Sequence, residues 1–128
     1  SIISAKSLNF DIQVFGAEPK EADDAFRSLK MGDIQSNETT NTICDGLRAQ
    51  IGSITFPIIQ EKVDRIITVS EKEIIESMKL IWERMKIIVE PSSTITLGAV
   101  LNEKELFNGK KVGLILSGGN VDLSTLPF

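Results

Sequence analysis

The sequence predicts an α/β domain, a parallel sheet flanked by helices, and three observations carry that prediction. Segments with strand character alternate along the chain with segments of helical periodicity. The last candidate strand, Val112 to Leu116, is apolar on both faces, the pattern of a strand covered by helices in a parallel sheet. Pro19, Gly32 and Asn108-Gly109 stand where these segments change character.

The elements follow in order. Ser1 to Lys6 (SIISAK) reads as the middle of an element, so a first helix is expected to be cut into at Ser1, with more protein upstream. Asp11 to Pro19 has the partly alternating apolar pattern of a short strand that stops at its proline. Glu21 to Gly32 predicts a helix with Ala22, Phe26 and Leu29 inward and glycine at its end. Asp33 to Thr42 is polar and reads as a loop. A short helix with Ile58, Ile59 and Val63 inward is expected to feed a strand over Ile66 to Val69. Ser70 and Glu73 have capping-box spacing, and behind them Ile74, Met78, Ile81, Trp82 and Met85 recur at helical intervals. Pro91 suits the first turn of a further helix running through Leu97 and Leu101.

Composition narrows the function classes. The 128 residues are one domain's length or a piece of one, and a quarter of them are charged, which argues against disorder. The net charge of −4 and the lack of a Lys/Arg cluster argue against nucleic acid and anionic membrane as partners. No stretch approaches the roughly 18 consecutive apolar residues of a membrane span. One cysteine, Cys44, excludes an internal disulfide and fits a reducing, cytoplasmic setting.

Chemistry-bearing residues are few. With no histidine and no tyrosine, the chain cannot build a Ser-His-Asp triad or a histidine metal site. Ser117-Gly118-Gly119-Asn120 follows the last candidate strand, the place where open α/β sheets bind ligands; a small-molecule cradle and a plain turn both fit. It is neither a Walker loop nor a GxGxxG fingerprint. Glu18, Asp23 and Asp24 cluster at a helix start, where they could complement the dipole or supply oxygen ligands to a hard cation. Lys86 suits a helix C-terminus. Glu90-Pro91 suits a helix start, Asp45-Gly46 a turn, and Cys44 a small buried hydrophobe.

Four stretches, in order, carry a resemblance: GAEPKEADD from Gly16, NTICDGLRAQIG from Asn41, IWERMKIIVEPSS from Ile81 and LILSGGNVDL from Leu114. Together they resemble the C-terminal part of the fold-type II, pyridoxal-phosphate-dependent family of serine racemases and serine/threonine dehydratases. The resemblance covers essentially the whole chain and implies that residues 1–128 are mostly large domain.

It also implies roles. Ser117 would hydrogen-bond the pyridine nitrogen of pyridoxal 5'-phosphate, and Gly46 would lie near the ring. The phosphate would sit in a tetraglycine loop upstream rather than on Gly118 and Gly119. Glu18, the Ala22 carbonyl and Asp24 would bind Mg²⁺, or Ca²⁺ or Mn²⁺ in its place, and Lys86 and Asn120 would contact ATP in nucleotide-activated members. The family's Schiff-base lysine, the serine opposite it and the ring-side asparagine all belong to the N-terminal portion, so no catalytic residue is expected here.

The implied parent reaction interconverts L- and D-serine and eliminates water from serine or threonine, on a small amino acid substrate. A dedicated threonine or hydroxyaspartate dehydratase is the alternative within the family, and a non-catalytic binding or dimerisation fragment the alternative outside it. The missing N-terminal portion and a second copy in a homodimer are the expected partners.

Overall fold

A computed structural model describes all of residues 1–128. Two parallel strands form the sheet, β1 (Phe15–Pro19) and β2 (Arg65–Val69), in register from Phe15 opposite Arg65 to Pro19 opposite Val69. Between them run α2 (Asp24–Met31), a long loop with a 3₁₀ turn at Asp45–Leu47, and α3 (Phe56–Lys62). This crossover is what a parallel pair requires, since no tight turn can join parallel strands. A short helix, α1 (Ile2–Leu8), precedes β1; α4 (Glu71–Met85), α5 (Pro91–Asn102), α6 (Lys104–Phe107) and a 3₁₀ turn at Leu123–Thr125 follow β2. The α/β class with a parallel, helix-flanked sheet is as expected. No helix is long and apolar enough to cross a membrane.

The core lies where β2 meets α4 and α5. Cys44, Ile67, Val69, Ile74, Ile95 and Ala99 form one buried cluster, with Phe15, Ala17 and Phe107 packed at its margin. The capping box forms as the spacing requires: Ser70 Oγ accepts from the Glu73 N–H, and Glu73 Oε2 accepts from the Ser70 N–H at 2.7 Å. Gly98 lets α5 approach the sheet, because a Cβ there would stand 2.8 Å from Val69 Cγ1 and 3.3 Å from Ser77 Oγ.

Four expectations differ from the structure. Val112 to Leu116 is not a strand, because neither β1 nor β2 pairs with it and an extended segment becomes a strand only through a neighbour's hydrogen bonds. Met85 is 58 % exposed, since α4 ends there and the chain reverses at Lys86. On α2 the deepest residues are Asp24, Ala25 and Ser28, while Phe26 and Leu29 are half-buried, because the helix turns a polar face inward to hold the following loop. On α3 it is Phe56 that is buried, with Ile58, Ile59 and Val63 only partly covered.

Candidate functional site

The fold brings the predicted residues together in two groups. The acidic group sits in the turn from β1 into α2. Glu18, at the end of β1, turns its carboxylate onto the start of α2, where Oε1 accepts from the Ala25 N–H at 3.1 Å and Oε2 from the Phe26 N–H at 2.8 Å. A strand residue thus satisfies two of the donors that a helix start leaves open. Burial pushes the Glu18 carboxyl up to about 7, against the pull of those two N–H groups, and the neighbouring Asp24 and Asp23 add to the rise.

Asp24, 2 % exposed, accepts from Asn37 Nδ2 at 2.9 Å and from the Ile51 N–H at 2.6 Å, tying the long loop to α2. Ala22 is buried between them, and none of the turn and loop backbone bonds ends on its carbonyl. No three acidic, cysteine or histidine side chains gather closely enough to hold a metal by themselves. The donor set is two carboxylates and one free carbonyl, all oxygen and crowded with negative charge. Those are the ligands a hard cation takes, with water completing its shell.

The second group meets at the first turn of α5. Glu90 is the N-cap of this helix, yet its side chain makes no capping bond. Instead Oε2 accepts from the Asn120 N–H at 2.9 Å, and the Glu90 N–H donates to the Gly118 carbonyl at 3.1 Å. Ser93 Oγ donates to the same carbonyl at 2.9 Å and accepts from the Gly118 N–H at 2.7 Å. One residue further back, Ser92 Oγ accepts from the Gly46 N–H at 3.2 Å. The Glu90–Ser93 turn therefore holds the loops of both predicted cofactor-binding residues, Gly46 and Ser117.

Glycine is required at 118, since a Cβ there would lie 2.6 Å from Glu90 Oε1. Ser117 itself is exposed, and none of the bonds that pin the loop uses its hydroxyl. A loop fixed from behind, with an unspent hydroxyl in front, fits a partner for a ring nitrogen.

Lys86 and Asn120 are both exposed. Lys86 closes α4 in the left-handed conformation, φ 58°, and is the one non-glycine residue with positive φ. Such strain costs of order 1 kcal/mol and concentrates at functional positions. Sequence reasoning missed Glu90, Ser92 and Ser93 as site residues. One signal was available, because glutamate is a poor N-cap compared with Ser, Thr, Asp or Asn, and a carboxylate there is free for other work.

Comparisons with known proteins bear on the family. The serine racemase of Dictyostelium discoideum is 57% identical over 128 residues, covering 97% of this chain and 40% of that protein. Its crystal structure superimposes with a TM-score of 0.88 at 58% identity, over 95% of this chain and 40% of the other. The beta-hydroxyaspartate dehydratase of Paracoccus denitrificans is 41% identical over 98% of this chain and 40% of its own length. The chain thus spans about two-fifths of the relatives it matches. A family model described as pyridoxal-phosphate dependent enzyme matches residues 2–118, a span that includes the acidic turn, the Glu90–Ser93 turn and Ser117; the chain belongs to that family.

Proposed function

We propose that residues 1–128 form the C-terminal portion, mostly large domain, of a pyridoxal-phosphate-dependent enzyme that interconverts L- and D-serine and eliminates water from serine or threonine. The likeness to a serine racemase along nearly the whole chain carries this reading. When bound, the cofactor supplies an electron sink that acidifies the hydrogen on the amino acid's α-carbon. This chain's part is to bind and orient. Ser117 Oγ holds the ring nitrogen with a neutral partner, which leaves that nitrogen largely unprotonated and moderates the sink. The loop behind it stays fixed through Glu90 and Ser93, and Gly46 offers backbone without a side chain beside the ring.

Glu18, the Ala22 carbonyl and Asp24 hold Mg²⁺, Ca²⁺ or Mn²⁺. The ion's role is structural, because it would join β1, α2 and the loop at Ile51 rather than touch the Ser117 loop. Lys86 and Asn120 take ATP as an activator. The remainder of the protein supplies the lysine that carries the cofactor, and two copies pair as a homodimer.

The assembled protein is expected to convert L-serine into D-serine and pyruvate, resolved by chiral chromatography and a coupled pyruvate assay. Chelation should lower its thermal midpoint, and re-adding Mg²⁺ should restore it in the wild type but not in Glu18→Gln or Asp24→Asn. The beta-hydroxyaspartate dehydratase relative supports a second reading, a dedicated dehydratase. Turnover of 3-hydroxyaspartate with no D-serine formed would select it.

A further inference from the structure

We propose that Ser93 is a positioning residue that aims the Ser117 hydroxyl at the cofactor's ring nitrogen; this rests on the role of Ser117 proposed above. The geometry of one hydroxyl carries the inference. Ser93 Oγ, in a side chain 1 % exposed, both accepts from the Gly118 N–H at 2.7 Å and donates to the Gly118 carbonyl at 2.9 Å. The N–H belongs to the peptide plane joining Ser117 to Gly118, and the carbonyl to the plane joining Gly118 to Gly119. Holding both fixes the two planes relative to each other, and so both soft dihedrals of Gly118, the residue with the most freedom to lose. The first plane also contains the Ser117 Cα, so the atom from which the Ser117 side chain projects is held in place.

An ordinary helical hydroxyl behaves differently, and α5 provides the contrast. Thr94 Oγ1 donates to the Pro91 carbonyl at 2.9 Å, with only a long 3.5 Å approach to the Ile74 carbonyl of α4, and Thr96 Oγ1 donates to the Ser93 carbonyl at 3.0 Å, so the short bond of each returns to its own helix. Such back-bonding is the usual fate of Ser and Thr in a helix. Ser93 instead reaches across 25 residues of sequence to the Ser117 loop. The Glu90 N–H braces the same carbonyl, and the Glu90 carboxylate stands against Gly118, so the loop has no room to shift toward α5. Without the Ser93 hydroxyl, the Gly118 N–H loses its partner and the Ser117 plane is free to rotate.

The test uses the assembled holoenzyme with cofactor labelled by ¹⁵N at the ring nitrogen. The readouts are the ¹⁵N chemical shift and the dissociation constant for pyridoxal phosphate. Ser117→Ala is expected to move the resonance toward that of the free, water-exposed cofactor. Ser93→Ala should move it the same way and weaken cofactor binding about fivefold, the worth of a single neutral hydrogen bond. Ser93→Thr, which keeps the hydroxyl, should restore the wild-type shift. In the double variant the Ser93 effect should largely vanish, because it acts through Ser117.

Strictly additive effects, or a Ser93→Ala resonance unchanged from wild type while Ser117→Ala moves it, overturn the positioning role. A Ser117→Ala protein with wild-type shift and affinity overturns the reading of Ser117 itself, a separate failure. Should Ser93→Ala fold poorly, as shown by circular dichroism, Ser93→Cys replaces it. A thiol donates weakly, so that variant is expected to show the same direction of shift, and a wild-type resonance there counts equally against the proposal.

Discussion

Cys44 shows how far burial governs chemistry at a single residue. It is fully enclosed in the core beside Ile67 and Val69, and burial pushes its thiol up to about 12 despite the opposing Thr42 hydroxyl. The thiolate is the reactive form, so the native protein at pH 8 should take up iodoacetamide far more slowly than the denatured chain. Mass spectrometry should then find one added group after denaturation, on the single cysteine. Native labelling at the rate of an open thiol would contradict the packing around Cys44. At this scale the sequence was readable for Cys44 as a small buried hydrophobe, and for the clustering of Glu18, Ala22 and Asp24, which lie within seven residues of one another. Ser93 was not readable, because its role depends on Gly118, 25 residues away, and no local pattern encodes that meeting.

Among the elements, α4 and α5 are the best determined and allow signs to be worked out. The Ser70 hydroxyl holds the Glu73 carboxyl below its usual value against the opposing effect of burial, with the Ser70 N–H adding to the lowering. A carboxyl whose folded value is lowered stabilises the protein above its unfolded value, here 4.5, and that contribution is lost as pH falls through the lower folded value. Ser70→Ala should cost about 1 kcal/mol at pH 7, the usual worth of an N-cap. The difference from wild type should shrink in urea titrations repeated at pH 3, and a constant difference would separate the cap from Glu73. Gly98→Ala on α5 sets two effects against each other. Helix propensity favours alanine by about 1 kcal/mol. The new Cβ would meet Val69 Cγ1 at 2.8 Å in a packed layer, and overpacking typically costs about 1–3 kcal/mol. The net expectation is a loss of stability and a lower thermal midpoint, whereas an unchanged or raised midpoint would show that α5 can slide outward. Helix starts and ends were legible because capping and periodicity are local. The exposed Met85 was misread because the turn at Lys86 is made by a left-handed residue that no glycine announces.

Across the whole molecule, the sheet stops one strand short of what the sequence pattern calls for. β1 is paired with β2 along one edge only, and its other edge faces the extended Val112–Ile115 segment across a groove of about 700 Å³. Val112, Leu114 and Ile115 are 42 %, 39 % and 62 % exposed there, although a segment apolar on both faces is suited to full cover. An open strand edge beside bare aliphatic side chains is a template for another extended segment. A parallel strand laid in the groove would give β1 its second neighbour and turn Val112 to Leu116 into the strand its sequence describes. The remainder of the protein, proposed above to supply the cofactor's lysine, would supply that strand. The 128-residue chain by itself should bind a hydrophobic fluorescent dye and sediment with self-associated species. The paired change Leu114→Asp and Ile115→Asp should reduce both, because charge at a strand edge opposes further pairing. The same change should prevent the chain from joining the remainder of the protein in a co-purification, while leaving the far-ultraviolet circular dichroism of its helices intact. Helices that unfold with the substitution would place the segment inside the core, and association unaffected by two buried charges would mean that the groove is covered from another direction.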